Sequence, residues 1–481
     1  MLCSELLGEK WLGEHDEIEI TGIAYDSRNV LPGNIFVCIK GFESDGHIYA
    51  KKAVENGAAV IVAQDEIDID VPVWYVKNSR RELAKLSCKY YGNPSEKFKL
   101  IGVTGTNGKT TTTYLIKDIL EKAGKRVGVI GTNQNVIGDK VLVTQSTTPT
   151  TPNSLELQQL FSEMAAGDAE FVVMEVSSHA LELDRVYGCR FDVGVFTNLT
   201  QDHLDFHKTM ENYLKAKERL FDISEKGVVN YDDDYGKRIT EEKECDFLKT
   251  GFGGGCDLTV SNMSISADGD EFDVSYKGET YHMHLSIPGK FSVYNAVSAI
   301  GAAIQLGIDM ETIQAGIRDA KGVVGRVEVV PTDTDYTVII DYAHTPDGLE
   351  NIIKAVKEFA KGRVITLFGC GGDRDTTKRK IMGEIAGRFS DYSIITSDNP
   401  RTEDPISIVA MIEEGIKETG AEYTVIVDRR KAIDYALHFA EKDDVIILAG
   451  KGQETYQIIG KEKRDFDERV VVWQCLNNLK N

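Results

Sequence analysis

Seven times along this chain a short apolar run ends in a loop rich in Gly, His, Asp or Arg. IGVT at 101–104 leads into GTNGKTTTT, FVVMEV at 171–176 into SSHA, and VGVFTN at 193–198 into LTQDHLD. TVIIDY at 337–342 leads into AHTPDG, VITLFG at 364–369 into CGGDRD, YSIITS at 392–397 into DNPRTED, and VIILAG at 445–450 into KGQET. Apolar runs of this kind, alternating with helical patterns, are the buried parallel strands of an α/β fold. In open sheets of that class ligands bind outside the carboxyl ends of the strands. Strand-to-helix loops are polar in any protein, so no single loop carries the argument. Their recurrence does, and it predicts that they line one cleft or two facing ones.

The 481 residues correspond to about three domains at roughly 100–200 residues each. The first stretch mixes short apolar runs (35–39, 58–63, 71–76) with turn signals, then a helical pattern running into a Pro-containing connector at 93–97. A polar, Gly-rich stretch at 251–286 alternates in strand fashion and reads as antiparallel decoration. GVVGRVEVV at 322–330 turns into a new strand series, so the boundaries are set at 1–96, 97–326 and 327–481. The fold class is α/β throughout: an N-terminal α/β domain, a central P-loop-type domain with a mostly parallel sheet, and a C-terminal Rossmann-like domain.

Lys and Arg number 55 against 77 Asp and Glu, a net charge of −22. That opposes nonspecific attraction to nucleic acid or an anionic membrane, though a local basic pocket is compatible with it. No apolar run is long enough to span a bilayer, and the opening MLCSELLGEK carries no secretory signal pattern. Eight scattered cysteines without a C-x-x-C pair fit neither structural zinc nor a disulfide framework. The expectation is a cytoplasmic protein, a monomer, binding no nucleic acid.

Gly105-Thr106-Asn107-Gly108-Lys109-Thr110, followed by Thr111, is the strongest single motif. A Gly-rich turn opening a helix aims backbone N–H groups at phosphates, while the lysine reaches the β/γ-phosphates and the threonine ligates Mg²⁺. The strict pattern needs Gly where Val103 stands, so this is a variant loop. Glu175 is a carboxylate at the end of an apolar run, a position that needs a partner or a metal. His203 reads as a loop hydrogen-bonding residue, since histidine is an unusual Mg²⁺ ligand. Lys217 falls on the apolar stripe of MENYLKAKERLF with Met210, Tyr213, Leu214, Leu220 and Phe221. It is either a snorkelling lysine, the simpler reading, or one held neutral by burial.

GTNGKTTT, TTPNSLELQ at 150–158, EVSSHAL at 175–181, FTNLTQDHLDFH at 196–207, YLKAKERLF at 213–221, DYAHTPDGL at 341–349, GDRD at 372–375, DNPR at 398–401 and GKGQE at 450–454 occur in one order. That order resembles the Mur ligases, cytoplasmic enzymes that add amino acids to the peptide stem of the peptidoglycan precursor. YDSRNVLPGNIFVCIKG at 25–41 and DGHIYAKKAVENGA resemble the UDP-holding domain of the branch that adds the third residue.

The resemblance implies ATP and Mg²⁺ as cofactors, and UDP-N-acetylmuramoyl-L-Ala-D-Glu and meso-diaminopimelate as substrates. It implies that Lys109 and Thr110 bind the ATP phosphates and Mg²⁺, with Glu175 and His203 as metal ligands. Lys217 would be a carbamylated lysine (N6-carboxylysine) assisting a second Mg²⁺, and Lys109, His203 and Lys217 the catalytic set. Asn295 would contact adenine, and Arg326, Asp341 and His344 the nucleotide. Ser27 would contact uridine, and Thr150, Thr151, Ser177 and Arg185 the muramoyl dipeptide. Arg401 would take the distal carboxylate of diaminopimelate, with Asp398, Asn399, Arg374, Gly450 and Glu454 around it. Two departures stand out: Leu183 where some members carry Gln, and GKGQE where GKGHE is more familiar. The implied reaction is ADP-forming amide ligation through an acyl phosphate, the third domain closing over that intermediate. The alternatives are the same reaction with L-lysine, a folylpolyglutamate synthetase-like ligase, and a P-loop regulatory NTPase.

Overall fold

A computed structural model of the chain describes residues 1–7, 17–41, 44–144, 148, 150–266 and 269–479. The end of the opening decapeptide and residues 267 and 268 of the decoration stretch lie outside the described residues. The chain divides into two compact units, residues 1–257 with 298–309, and residues 258–297 with 310–481.

The first unit holds two sheets. Gly22–Ala24, Asn34–Val37, Val60–Ala63 and Val73–Tyr75 pair in that order, all parallel. Asn34–Val37 and Val60–Ala63 are buried on both faces. One face packs with helix Ser79–Tyr90 and the other with Ala50–Glu55. In the second sheet Lys99–Thr104 lies between Phe171–Glu175 and Phe191–Phe196, parallel to both. Ser224–Asn230 and Asp246–Gly251 continue the parallel order on one side, and Val127–Ile130 on the other. None of Lys99–Thr104's neighbours is its neighbour in sequence, so the loops leaving these three strands emerge together at one sheet edge. Gly102 permits the tight packing there, since a Cβ would come within 2.7 Å of the Phe191 ring.

The second unit opens with an antiparallel meander, Leu258–Ser266, Gly269–Tyr276 and Glu279–Leu285, as the alternating pattern predicts. A six-stranded sheet of this unit runs Glu328–Val330, Thr337–Asp341, Val445–Ala449, Val364–Phe368, Tyr392–Ile395, Tyr423–Val425. All but the first strand are parallel. Four of the seven loops therefore leave one edge of this sheet, and three leave one edge of the sheet in the first unit. Among the described residues no helix is long and apolar enough to cross a membrane.

Candidate functional site

Each unit gathers its own cluster. In the first, strand Lys99–Thr104 hands over to Gly105 (φ 152°) and Gly108 (φ 85°), which caps helix Lys109–Lys122 in the left-handed region. A Cβ on Gly105 would sit 1.9 Å from Thr197 Oγ1, so only glycine fits beneath the loop. Thr106 N donates to Asn198 O and Asn107 N to Asn198 Oδ1, both at 2.9 Å, so the loop after Phe191–Phe196 braces the Gly-rich turn. Lys109 Nζ folds back onto the loop carbonyls, donating to Gly105 O (3.0 Å) and Thr106 O (2.9 Å).

Thr110 Oγ1 donates to Glu175 Oε1 at 3.0 Å. Glu175 is 1% exposed, and its burial is compensated by Thr132 N at 2.8 Å and Thr132 Oγ1 at 3.1 Å. Thr150 and Thr151 extend the strip. The Thr150 hydroxyl lies 2.9 Å from that of Thr132, and Thr151 Oγ1 donates to Glu175 O and accepts from Ser177 N. Ser177 caps helix Ser178–Glu182, and Arg185 donates to Thr151 O at 3.0 Å.

Lys217 lies at the same loop. Its Nζ donates to Gly105 O at 2.7 Å and stands 4.6 Å from the Tyr213 ring centroid. At 1% exposure this lysine does not snorkel. Burial, reinforced by the charge of Lys109, holds the amine well below its ordinary range. His203, in the left-handed region at φ 52°, is 3.3 Å from Asp202. It adjoins His179 and Tyr213, with ring centroids 4.9 and 6.2 Å away. Sequence reasoning passed over His179 and His207. Burial pushes both down to about 4, and His207 stacks on Tyr213 while bonding the Ser178 hydroxyl at 2.9 Å. Three histidines in the SSHA and DHLDFH stretches were the available signal.

Ser27 is buried in a short 3₁₀ turn capped by Asp26, and its carbonyl accepts from Asn56 at 2.8 Å. Tyr25, which opens the YDSRN stretch without a role assigned to it, donates its hydroxyl to Glu156 (2.7 Å) and accepts from Asn153 (3.0 Å).

In the second unit Asp341 ends a parallel strand, buried, and accepts from Val327 N (2.9 Å) and Ala343 N (2.8 Å). Burial raises its carboxyl, and Arg326 opposes that. Arg326 stacks over Tyr342 at 5.0 Å with its Nε buried and unbonded. His344, on the exposed side of the loop, bonds Tyr342 O at 2.8 Å. Asn295 is buried on helix Lys290–Gln305.

The DNPR loop is built from the backbone outward. Arg401, at φ 50°, donates through its backbone to Ile458 O and through Nη1 to Gly372 O at 2.8 Å. Asn399 donates to Glu454 at 2.9 Å and accepts from Ile458 N at 2.9 Å. Gly450 (φ 114°) lies against Asp398, and a Cβ there would meet its Oδ2 at 2.7 Å. Arg374 is exposed. Two further residues belong to this cluster. Lys451, fully buried, bonds Asn399 and Glu454 at 3.2 Å each, and Gln457 donates to Asp398 O. Lys451 stood inside GKGQE, flanked by residues that drew the attention. Arg401, Asp398, Asn399, Gly450 and Glu454 thus form one constellation, with Arg374 on the neighbouring loop.

Residues 19–90 match the family model described as Mur ligase family, catalytic domain; 103–303 match the Mur ligase middle domain; 325–452 match the Mur ligase, glutamate ligase domain. A UDP-N-acetylmuramoyl-L-alanyl-D-glutamate–2,6-diaminopimelate ligase of Clostridium acetobutylicum is 49% identical over 96% of each chain. A solved structure of a ligase with that name is 30% identical and covers 100% of this chain and 99% of its own, with a TM-score of 0.75. Mycobacterium tuberculosis folylpolyglutamate synthase, 16% identical over 77% of this chain and 92% of its own, shares the fold at a TM-score of 0.63.

Proposed function

The chain belongs to the Mur ligase family, and from that premise we propose that it joins meso-diaminopimelate to the D-Glu γ-carboxylate of UDP-N-acetylmuramoyl-L-Ala-D-Glu, turning ATP into ADP and phosphate. Residues 1–96 take the UDP moiety, 97–326 the ATP, and 327–481 the amino acid. The observation that carries the reading is the convergence on one Gly-rich loop of two lysines, Lys109 and Lys217, beside the Thr110–Glu175 pair. ATP and a UDP-linked sugar are both metabolites of the cytoplasm, so the reaction belongs there.

A carboxylate oxygen attacks the γ-phosphorus, ADP leaves, and an acyl phosphate forms. The incoming amine then adds to the carbonyl carbon, and phosphate departs from the tetrahedral intermediate. The first step brings two anions together. Lys109, released from the loop carbonyls by bound phosphates, supplies the charge that makes the approach tolerable. The donors present suit Mg²⁺, which prefers hard oxygen ligands. Thr110 Oγ1 and the buried Glu175 carboxylate stand 3.0 Å apart, with His203 nearby. Bound there, Mg²⁺ would neutralise phosphate charge. Lys217, poor in charge by burial, is the amine best prepared to combine with CO₂ into a carbamate, a second anionic oxygen donor.

At the other end the incoming amino acid needs its far carboxylate paired. Arg401's planar fork supplies two parallel hydrogen bonds to a carboxylate, and Lys451, Asn399 and Glu454 fix the floor beside it. Phosphate release, measured with and without the nucleotide sugar and the amine, tests the reading. Release that requires both supports a ligase, whereas release with neither supports a regulatory NTPase.

A further inference from the structure

A cavity of about 40 Å³ in the first unit is lined by Tyr25, Arg80, Leu83, Asn153, Leu183 and Arg185. Its two guanidiniums are poorly matched by the protein alone. Arg185 donates Nη1 to the Thr151 carbonyl, while its Nε is buried without a partner. Arg80 donates Nη2 to the Lys40 carbonyl at 2.8 Å. The carboxylates that act on them are engaged elsewhere. Asp184 accepts from Arg81 Nε at 3.0 Å and Asn78 at 3.3 Å, and Glu156 accepts from the Tyr25 hydroxyl at 2.7 Å. Burial also pushes the Glu156 carboxyl up, toward its neutral form.

The two cations oppose each other. Burial first, and then the charge of Arg80, brings Arg185 down to about 10. Arg80 also sits in the first turn of helix Ser79–Tyr90, where the helix dipole disfavours a cation and favours an anion. Two partly buried guanidiniums lining one small cavity are costly unless something negative joins them there. Leu83 and Leu183 add apolar walls beside the two cations, and a less polar surrounding strengthens a charge-assisted bond formed there.

We infer that Arg80 joins Arg185 in holding the carboxylate of the D-glutamyl substrate that is not ligated, an inference that rests on the ligase reading above. The path from cavity to phosphate loop is short. Arg185 holds Thr151, Thr151 holds the Glu175 backbone, and the Glu175 side chain holds Thr110. A glutamate whose γ-carboxylate is phosphorylated at that loop carries its second carboxylate a few bonds away, on the Arg185 side. Arg80 is then a specificity-determining residue, contributed by the N-terminal sheet's own helix.

Arg80→Gln in the full chain tests this. Losing a charge-assisted bond should raise KM for UDP-N-acetylmuramoyl-L-Ala-D-Glu by about tenfold to a hundredfold, with kcat and the KM for ATP within about twofold. An analogue carrying an amide in place of that carboxylate should be a poor substrate for the unmodified protein. Arg80→Gln should handle acid and amide nearly alike. Arg80→Lys, which keeps charge without the fork, should retain part of the discrimination, and it serves the same comparison if the Gln variant does not fold. An unchanged ratio of acid to amide in either variant overturns the inference. An equal loss of affinity for UDP alone overturns it too, because the pocket would then hold the diphosphate. If the unmodified protein ligates no dipeptide nucleotide at all, the ligase reading itself has failed and the inference with it.

Discussion

Lys217 has a single carbonyl for a hydrogen-bond partner, an aromatic face beside it, and almost no water. An ammonium so placed, with Lys109 close enough to repel it, gains by losing its proton or by becoming an anion. Lys217→Ala should lower ligation by about a hundredfold or more while leaving ATP affinity and the melting temperature nearly unchanged, and a small carboxylic acid should restore part of the rate. Full activity of the variant without additive would refute the carbamate. The apolar stripe of MENYLKAKERLF located this lysine, yet the stripe alone could not distinguish a snorkelling head from a buried one. That distinction depends on what lies over the stripe, and here it is Gly105, 112 residues away in sequence. His207, Thr132 and Lys451 escaped notice for the same reason. Each is an ordinary polar residue until a distant segment turns it toward a site.

Helices Thr377–Phe389 and Pro405–Lys417 approach each other at two glycines. A Cβ on Gly415 would stand 1.9 Å from Lys380 O, and one on Gly383 would stand 2.0 Å from Ile412 O. Gly415→Ala must push the helices apart, and overpacking of this kind costs about 1–3 kcal/mol. Calorimetric unfolding should show that loss, while nucleotide binding in the first unit should be unaffected. Strand Gly269–Tyr276 carries a different tension. Asp270 is fully buried, and its carboxylate oxygens lack well-formed hydrogen bonds. Burial pushes this carboxyl up to about 7, the backbone amides of Gly289 and Ser266 offsetting only part of it. The folded state therefore binds the proton more tightly than the unfolded chain. Stability from this group is complete below the unfolded value of 3.8, declines as pH rises, and is lost above about 7. Asp270→Asn should remove the decline, so the difference in unfolding free energy between variant and unmodified protein should grow between those limits, by at most about 4 kcal/mol. A pH-independent difference would contradict it. Neither feature was legible in the sequence. Helix periodicity locates a helix without saying which glycine meets a neighbour's carbonyl, and Asp270 reads as one more polar residue in an alternating strand.

At the scale of the whole molecule, the recurrence of apolar run and polar loop was enough to predict parallel sheets, because a strand buried on both faces has little freedom except to be apolar throughout. The runs at 101–104, 171–176 and 193–198 became adjacent strands of one sheet, and those at 337–342, 364–369, 392–397 and 445–450 became strands of another. Strand order was not legible, since it is set by which crossovers pack best. The motifs nonetheless assembled into two coherent groups, a phosphate-type loop with Thr110, Glu175 and Lys217, and a DNPR loop with Gly450 and Glu454. The net charge of −22 does not oppose anionic substrates when Lys109, Arg185 and Arg401 meet them locally.

In the proposed reaction the DNPR cluster selects an amino acid with a carboxylate at its far end. Lysine would leave Arg401 without that anion, and a site built around a buried polar contact rejects the analogue lacking it by about 10⁴-fold or more. The direct measurement is a competition in which the full chain, ATP, Mg²⁺ and UDP-N-acetylmuramoyl-L-Ala-D-Glu are supplied with meso-diaminopimelate and L-lysine at equal concentration, and the product is weighed by mass spectrometry. The diaminopimelate adduct should form almost alone, and Arg401→Ala should lose it without weaker ATP binding. Preferential incorporation of lysine by the unmodified protein would contradict it.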